Sequence, residues 1–204
     1  MKASDNEFID LKYWKEVTEE VGSLVTGDWN VMLLTHDSME LKDTIHFFKE
    51  LSIAKRIVYI SLTRTCNHIR PYFKEPYFNK DSRVFVIDCV SRGVFGDKDQ
   101  NNSGDCIFVN PPSNMEKIQK LIGKSVEKIS PQYVILDSLS HLIEFLSSEG
   151  KALLPFFNFL RNLSPNCKFI LLYDTSYGSK NVPKAYVDII LNIEEDRNLV
   201  FWKD

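Results

Sequence analysis

Three absences bound this 204-residue chain before any motif is considered. No apolar run reaches the roughly 18 residues needed to cross a bilayer as a helix, and the start, MKASDNEF, lacks the basic-then-apolar pattern of a secretory leader. A cytoplasmic protein with no membrane contact is expected. There is no basic excess either, since 25 Lys and Arg stand against 28 Asp and Glu. A net charge of -3 argues against a dedicated nucleic-acid binder, which carries a basic face for the phosphate backbone. Cysteine is sparse: Cys66, Cys89, Cys106 and Cys167 form no C-x-x-C pair and lie mostly in or beside apolar runs. In a reducing compartment this spacing predicts buried free thiols rather than disulfides or a metal site. Internal repeats, linkers and low-complexity stretches are also missing, so one domain over residues 1–204 is expected.

What is present is a 44% hydrophobic, 12% aromatic sequence in which short apolar runs alternate with amphipathic ones. Tyr133-Val134-Ile135-Leu136-Asp137 organises the rest: a buried-strand pattern that ends in a carboxylate and runs into Ser138-Leu139-Ser140. Similar runs predict strands at Asn30 to Thr35, Arg56 to Leu62, Val84 to Asp88, Cys106 to Val109, Lys168 to Tyr173 and Ala185 to Ile193. A last edge strand at Asn198 to Trp202 would turn back on its predecessor at Glu195 to Asn198. Three- and four-residue apolar spacing predicts helices over Glu7 to Val25, Ser38 to Leu51, Thr63 to Lys74, Ser113 to Ile129, Ser138 to Ser147 and Leu153 to Leu163. Ser91 to Asp105 reads as a long irregular loop. Alternating strands and helices predict an α/β fold, a three-layer sandwich whose mostly parallel central sheet is covered by helices on both faces.

Ligands of such sheets sit beyond the carboxyl ends of the strands. The residues to weigh are therefore Thr35 to Thr44, Thr63 to Thr65, Asp88, Asp137, Ser138 and Asp174 to Ser179. His36, His46, His68 and His141 show no metal-ligand spacing, so no metal site is expected. Ser138 and Ser140 lack a G-x-S-x-G elbow, which leaves a hydrolase triad with His141 or His36 unsupported. Asp88, Asp137 and Asp174 could converge at one sheet edge, as strand-end acids do in any parallel sheet.

The order of these strings resembles the RecA/KaiC-like ATPase core over roughly Asn30 to Ile193, with VILDSLSHL in the Walker B position and FILLYD and YVDIILNI following. Uncharacterised archaeal KaiC-like proteins look most similar from VFVID through CIFVNPPSNMEKI to VILDSLSHLIEF. The resemblance implies a P-loop NTPase fold, and it implies a nucleotide site whose remnants would be Lys42, Thr44, Asp137 and Ser138. The departures are chemical. A phosphate loop turns consecutive N–H groups inward with glycines and ends in Lys-Ser/Thr. Here Thr35 to Thr44 contains no glycine, places Asp37 and Glu40 where phosphate charge would sit, and separates Lys42 from Thr44 by Asp43. The glutamates that would activate water after the second strand are replaced by Ser61-Leu62-Thr63-Arg64-Thr65.

The resulting expectation is a pseudo-ATPase with no catalytic residues and no cofactor, acting through a protein partner or as a homo-oligomer. Ser91 to Asp105 and Asp174 to Asn181 are its candidate contact loops. One alternative is ATP with magnesium held by Lys42, Thr44 and Asp137. The other is a phosphorylation-responsive or nucleic-acid-binding module using Arg64, His68, Arg70 and Lys74.

Overall fold

The computed structural model describes residues 27–36, 56–73, 82–96, 104–147, 153–163, 166–177, 184–193 and 199–202. Eight strands form one sheet: β1 (Val31–His36), β2 (Arg56–Ser61), β3 (Arg83–Asp88), β4 (Cys106–Phe108), β5 (Tyr133–Asp137), β6 (Lys168–Asp174), β7 (Ile189–Ile193) and β8 (Leu199–Trp202). The order across the sheet is β4-β3-β2-β5-β6-β1-β7-β8. Pairing is parallel from β4 to β7, and only β8 runs antiparallel, against β7. The expected final hairpin is therefore present, while its turn, the helices over Glu7 to Val25 and Ser38 to Leu51, and Lys74 lie outside the described residues.

The central strands are apolar at successive positions because both faces are covered. Met32, Leu34, Ile57, Tyr59, Val86, Ile135, Ile170 and Leu172 build one core with Cys66 and Ile69 of helix α1 (Cys66–Ile69). On the opposite face, Val31, Leu33, Val58, Ile60, Val134, Leu136, Phe169 and Leu171 pack beneath α3 (Met115–Ile129), α4 (Leu139–Ser147) and α5 (Leu154–Leu163). A short α2 (Ser91–Phe95) follows β3.

Five sequence expectations are corrected. The helix predicted from Thr63 is only α1 followed by a 3₁₀ turn, Arg70–Phe73, since Pro71 cannot donate the backbone bond that would continue the helix. Ser91 to Asp105 is not irregular throughout, because α2 occupies its start. The cap of α3 is Asn114 rather than Ser113: its Oδ1 accepts from the Lys117 N–H at 2.9 Å. β7 begins at Ile189, not at Ala185. Residues Lys184–Tyr186 form a 3₁₀ turn, and the Asp188 carboxylate accepts from the N–H groups of Asn30 (2.9 Å) and Val31 (2.8 Å) while pairing with Arg161 at 2.7 Å. Finally, Cys66 and Cys106 form a disulfide, their Cα atoms 6.3 Å apart, where the fold sets the start of α1 beside edge strand β4. Cys89 and Cys167 are buried free thiols, as expected.

Candidate functional site

The parallel register carries the strand ends to one edge. Ser61 of β2 stands opposite Asp88 of β3 on one side and Asp137 of β5 on the other. His36 and Asp174 pair at the ends of β1 and β6. A cleft of about 310 Å³ opens above the centre of the sheet, lined by His36, Thr63, Arg64, Asp137, Ser138, His141 and Asp174. This is where a parallel α/β sheet places a ligand, and two of the four predicted site residues, Asp137 and Ser138, are in it. Lys42 and Thr44 lie outside the described residues, with the rest of the glycine-free stretch from Asp37 onward.

Asp137 is held by two side chains. Tyr59 faces Ile135 across the β2–β5 ladder, so its ring points along the face that Asp137 reaches two residues later, and its hydroxyl donates to Oδ2 at 2.6 Å. The Leu62 N–H donates to the Asp137 carbonyl at 2.6 Å, which carries the chain past the strand end and delivers Arg64. The Arg64 Nη1 then donates to the same Oδ2 at 2.9 Å. The carboxylate is 5% exposed and the guanidinium 31%, so the pair is largely withdrawn from water, where charge-assisted bonds are strong. Burial first, then the charge of Asp137 and its hydrogen bond, push the Tyr59 phenol well above its ordinary range, against the opposing influence of Arg64. Tyr59 therefore remains a donor. The strand-end acid is thus engaged by a hydroxyl and a guanidinium. Arg64 is not on a helix presenting a positive face, because α1 starts two residues later and the side chain turns into the cleft.

Ser138 caps α4: its Oγ lies 3.4 Å from the His141 N–H, and it bonds the Ser140 Oγ at 2.9 Å and the His141 Nδ1 at 2.8 Å. A serine–histidine contact is thus present, but the hydroxyl is buried and engaged by both neighbours. Asp88 does not face the cleft. It is fully buried and accepts from the N–H groups of Cys66 (2.6 Å), Val90 (2.8 Å) and Ser91 (2.8 Å) and from the Ser91 hydroxyl (2.6 Å). Asp174 folds its Oδ1 onto the Ser176 N–H at 2.9 Å and the Ser176 hydroxyl. The three strand-end acids therefore sit at one edge without converging.

The Oδ2 of Asp137 meets a full positive charge and a phenol, while the other residues expected at a nucleotide, Lys42 and Thr44, lie outside the described residues. Among the described residues, no group of three His, Cys, Asp or Glu side chains is gathered to hold a metal ion, and no helix is long and apolar enough to cross a membrane.

No protein-family model and no curated protein matches the sequence. Solved structures do. A KaiC-like protein from the hyperthermophilic archaeon Pyrococcus horikoshii superposes with a TM-score of 0.55 at 14% identity, over 85% of this chain and 78% of that one. The flagellar accessory protein FlaH of Methanocaldococcus jannaschii aligns with a TM-score of 0.43 at 10% identity, over 80% and 70%. The topology, the position of the Asp137 strand and the first of these superpositions agree: the chain has the RecA/KaiC-like α/β fold.

Proposed function

We propose that this domain is a RecA/KaiC-like pseudo-ATPase, a regulatory or assembly module that binds protein, either a partner or further copies of itself, and does not turn over ATP. The observation that carries the reading is the Arg64–Asp137 pair. In an ATPase of this fold the acid at the end of the central strand serves the metal; here it serves an arginine from the neighbouring strand's loop. The absence of glycine between Thr35 and Thr44, and of a glutamate after β2, supports the same reading from the sequence. Without a phosphate cradle or a base for water, the carboxyl edge is a shaped surface on a stable sheet.

Isothermal titration with ATP and Mg²⁺, paired with a phosphate-release assay, tests the first half. No saturable binding and no release are expected. Binding that Asp137→Ala or Lys42→Ala abolishes would overturn it in favour of ATP with magnesium on Lys42, Thr44 and Asp137. Light scattering across a concentration series tests the second half: a mass that grows with concentration, or a stoichiometric complex with a purified partner, supports assembly. A strict monomer that forms no complex argues against it.

A further inference from the structure

A second concavity lies at the outer end of the same carboxyl edge, away from the Arg64–Asp137 cleft. It follows edge strand β4 and runs along α3, with a volume of about 330 Å³. Its floor is apolar, built by Val109, Pro111 and Leu121, and its rim is Lys117, Lys120 and Lys124. Among the described residues, no acidic one lines it. The rim residues recur at three- and four-residue steps, so they form one stripe on the exposed side of a helix whose other side, Ile118, Ile122 and Ile129, is in the core.

A lysine stripe on a helix is ordinarily a solvated face. Three features set this one apart. Like charges one turn apart repel; Glu116 and Glu127 stand at pairing spacing from Lys120 and Lys124 but do not line the groove, and within the stripe Lys117 Nζ donates to the Ser113 hydroxyl at 2.7 Å, a neutral partner. The positive patch also runs against the sign of the chain, whose net charge is -3. Lastly, the apolar floor continues outward. α2 lies against the groove, close enough that a β-carbon on Gly93 would come within 2.9 Å of Pro111, and it presents Val94 (65% exposed) and Phe95 (70%) to solvent. This is the start of the segment that the sequence singled out as a contact loop.

We propose that this groove docks an acidic peptide segment of a partner protein, with carboxylates on Lys120 and Lys124 and an apolar anchor between Leu121, Val109 and the α2 surface. A peptide suits the groove better than a nucleic acid. The floor offers aliphatic carbon and proline rather than the aromatic platforms on which bases stack, and a polyanion carrying a charge every few ångströms would meet the repulsion of an acidic protein beyond the three lysines. A short segment needs only local complementarity, with charge giving register and speed and the anchor giving residence. The inference rests on the protein-binding role proposed above and gives it a surface and a partner chemistry.

The test uses the full chain and a fluorescein-labelled synthetic peptide, Glu-Glu-Leu-Phe-Glu-Glu, followed by anisotropy at low salt. Saturable binding is expected, weakened about tenfold or more by the double change Lys120→Glu and Lys124→Glu, and also lost when Gly replaces Leu and Phe in the peptide. Because both lysines are exposed, circular dichroism of the variant should match the parent; a Lys120→Gln and Lys124→Gln pair gives a milder second reading of the same direction. Absence of binding, equal binding of the Gly-substituted peptide, or tighter binding of a labelled oligonucleotide that the peptide fails to displace would each overturn the proposal. Light scattering in the absence of peptide reports self-assembly separately, so failure here is distinguishable from failure of the broader role.

Discussion

Asp88 and Asp137 end strands that flank β2, stand level with the same residue, Ser61, and point to the same face of the sheet, yet they do different work. Asp88 accepts four bonds, three of them from backbone N–H groups, and joins the start of α1 to the turn that opens α2. Asp137 accepts from two side chains, both on one oxygen, at the wall of an open cleft. A carboxylate with backbone donors is part of the scaffold, because those donors cannot leave without the chain moving. One held by side chains can lose a donor without the backbone moving, as Asp137 would if the partly exposed Arg64 changed rotamer while Tyr59 stayed fixed in the core. Position at a strand end therefore does not define a site; the kind of donor does.

The comparison breaks most visibly at Asp88. Asp88→Ala strands two buried N–H groups, a part-buried one and a hydroxyl, the buried ones each costing about 1–3 kcal/mol when left without an acceptor, and relaxation should reduce the sum to about 3–5 kcal/mol. Urea denaturation should show that loss; less than about 1 kcal/mol would mean that Asp88 is not the scaffold acid described here. Arg64→Ala comes next. It leaves a nearly buried carboxylate facing the phenol alone, and because the arginine is about one-third exposed the expected loss is about 2 kcal/mol rather than the larger figure for a fully buried pair. The double variant with Asp137→Ala should be less destabilised than the two single losses added together. Arg64→Ala should also gain a Mg²⁺-dependent thermal shift that the parent lacks. Additive losses and no metal response would show that the pair is incidental. Tyr59→Phe removes one bond to the carboxylate but keeps the buried ring and its edge contact with Phe73, so about 1 kcal/mol is expected by the same urea assay.

How much of this was legible in the sequence follows from the range of the interactions. The central strands declared themselves because two-sided burial leaves continuous apolar runs such as Val134 to Leu136, and their order along the chain carried the likeness to KaiC-like proteins. Sheet order was not legible, because parallel neighbours are joined by long crossovers. That is why Arg64 was read as part of a basic helix face: its partner is 73 residues away and adjacent only because β2 pairs with β5. The Cys66–Cys106 bond was missed for the same reason, across 40 residues. Local competition explains the smaller misses. Ser113 and Asn114 are both good caps, and the run from Ala185 to Ile193 hid Asp188, whose carboxylate answers N–H groups at the start of β1. An arginine shortly after a strand that precedes an acid-ended strand was the available signal for the pair, but many surface arginines share it.

The smallest effect comes from the residue beside Asp88. Burial, and after it the charge of Asp88, push the Cys89 thiol up to about 12, and burial alone does the same to Cys167. The folded pKa lies above the unfolded one, so neither thiol alters stability below about pH 8.5, and stability falls as pH rises from there toward 12, where the unfolded chain alone ionises. At about pH 10 each thiol should cost about 1–2 kcal/mol, less whatever solvent reaches it. Replacing Cys89 with Ala should flatten the alkaline limb of a stability-against-pH curve by that thiol's share, and Cys167→Ala by a similar amount. Because burial outweighs the charge, Asp88→Asn, if it folds, should leave most of the Cys89 contribution in place. A Cys89 limb that vanished with Asp88→Asn would mean that the acid's charge, not the closed packing it organises, sets the environment at the end of β3.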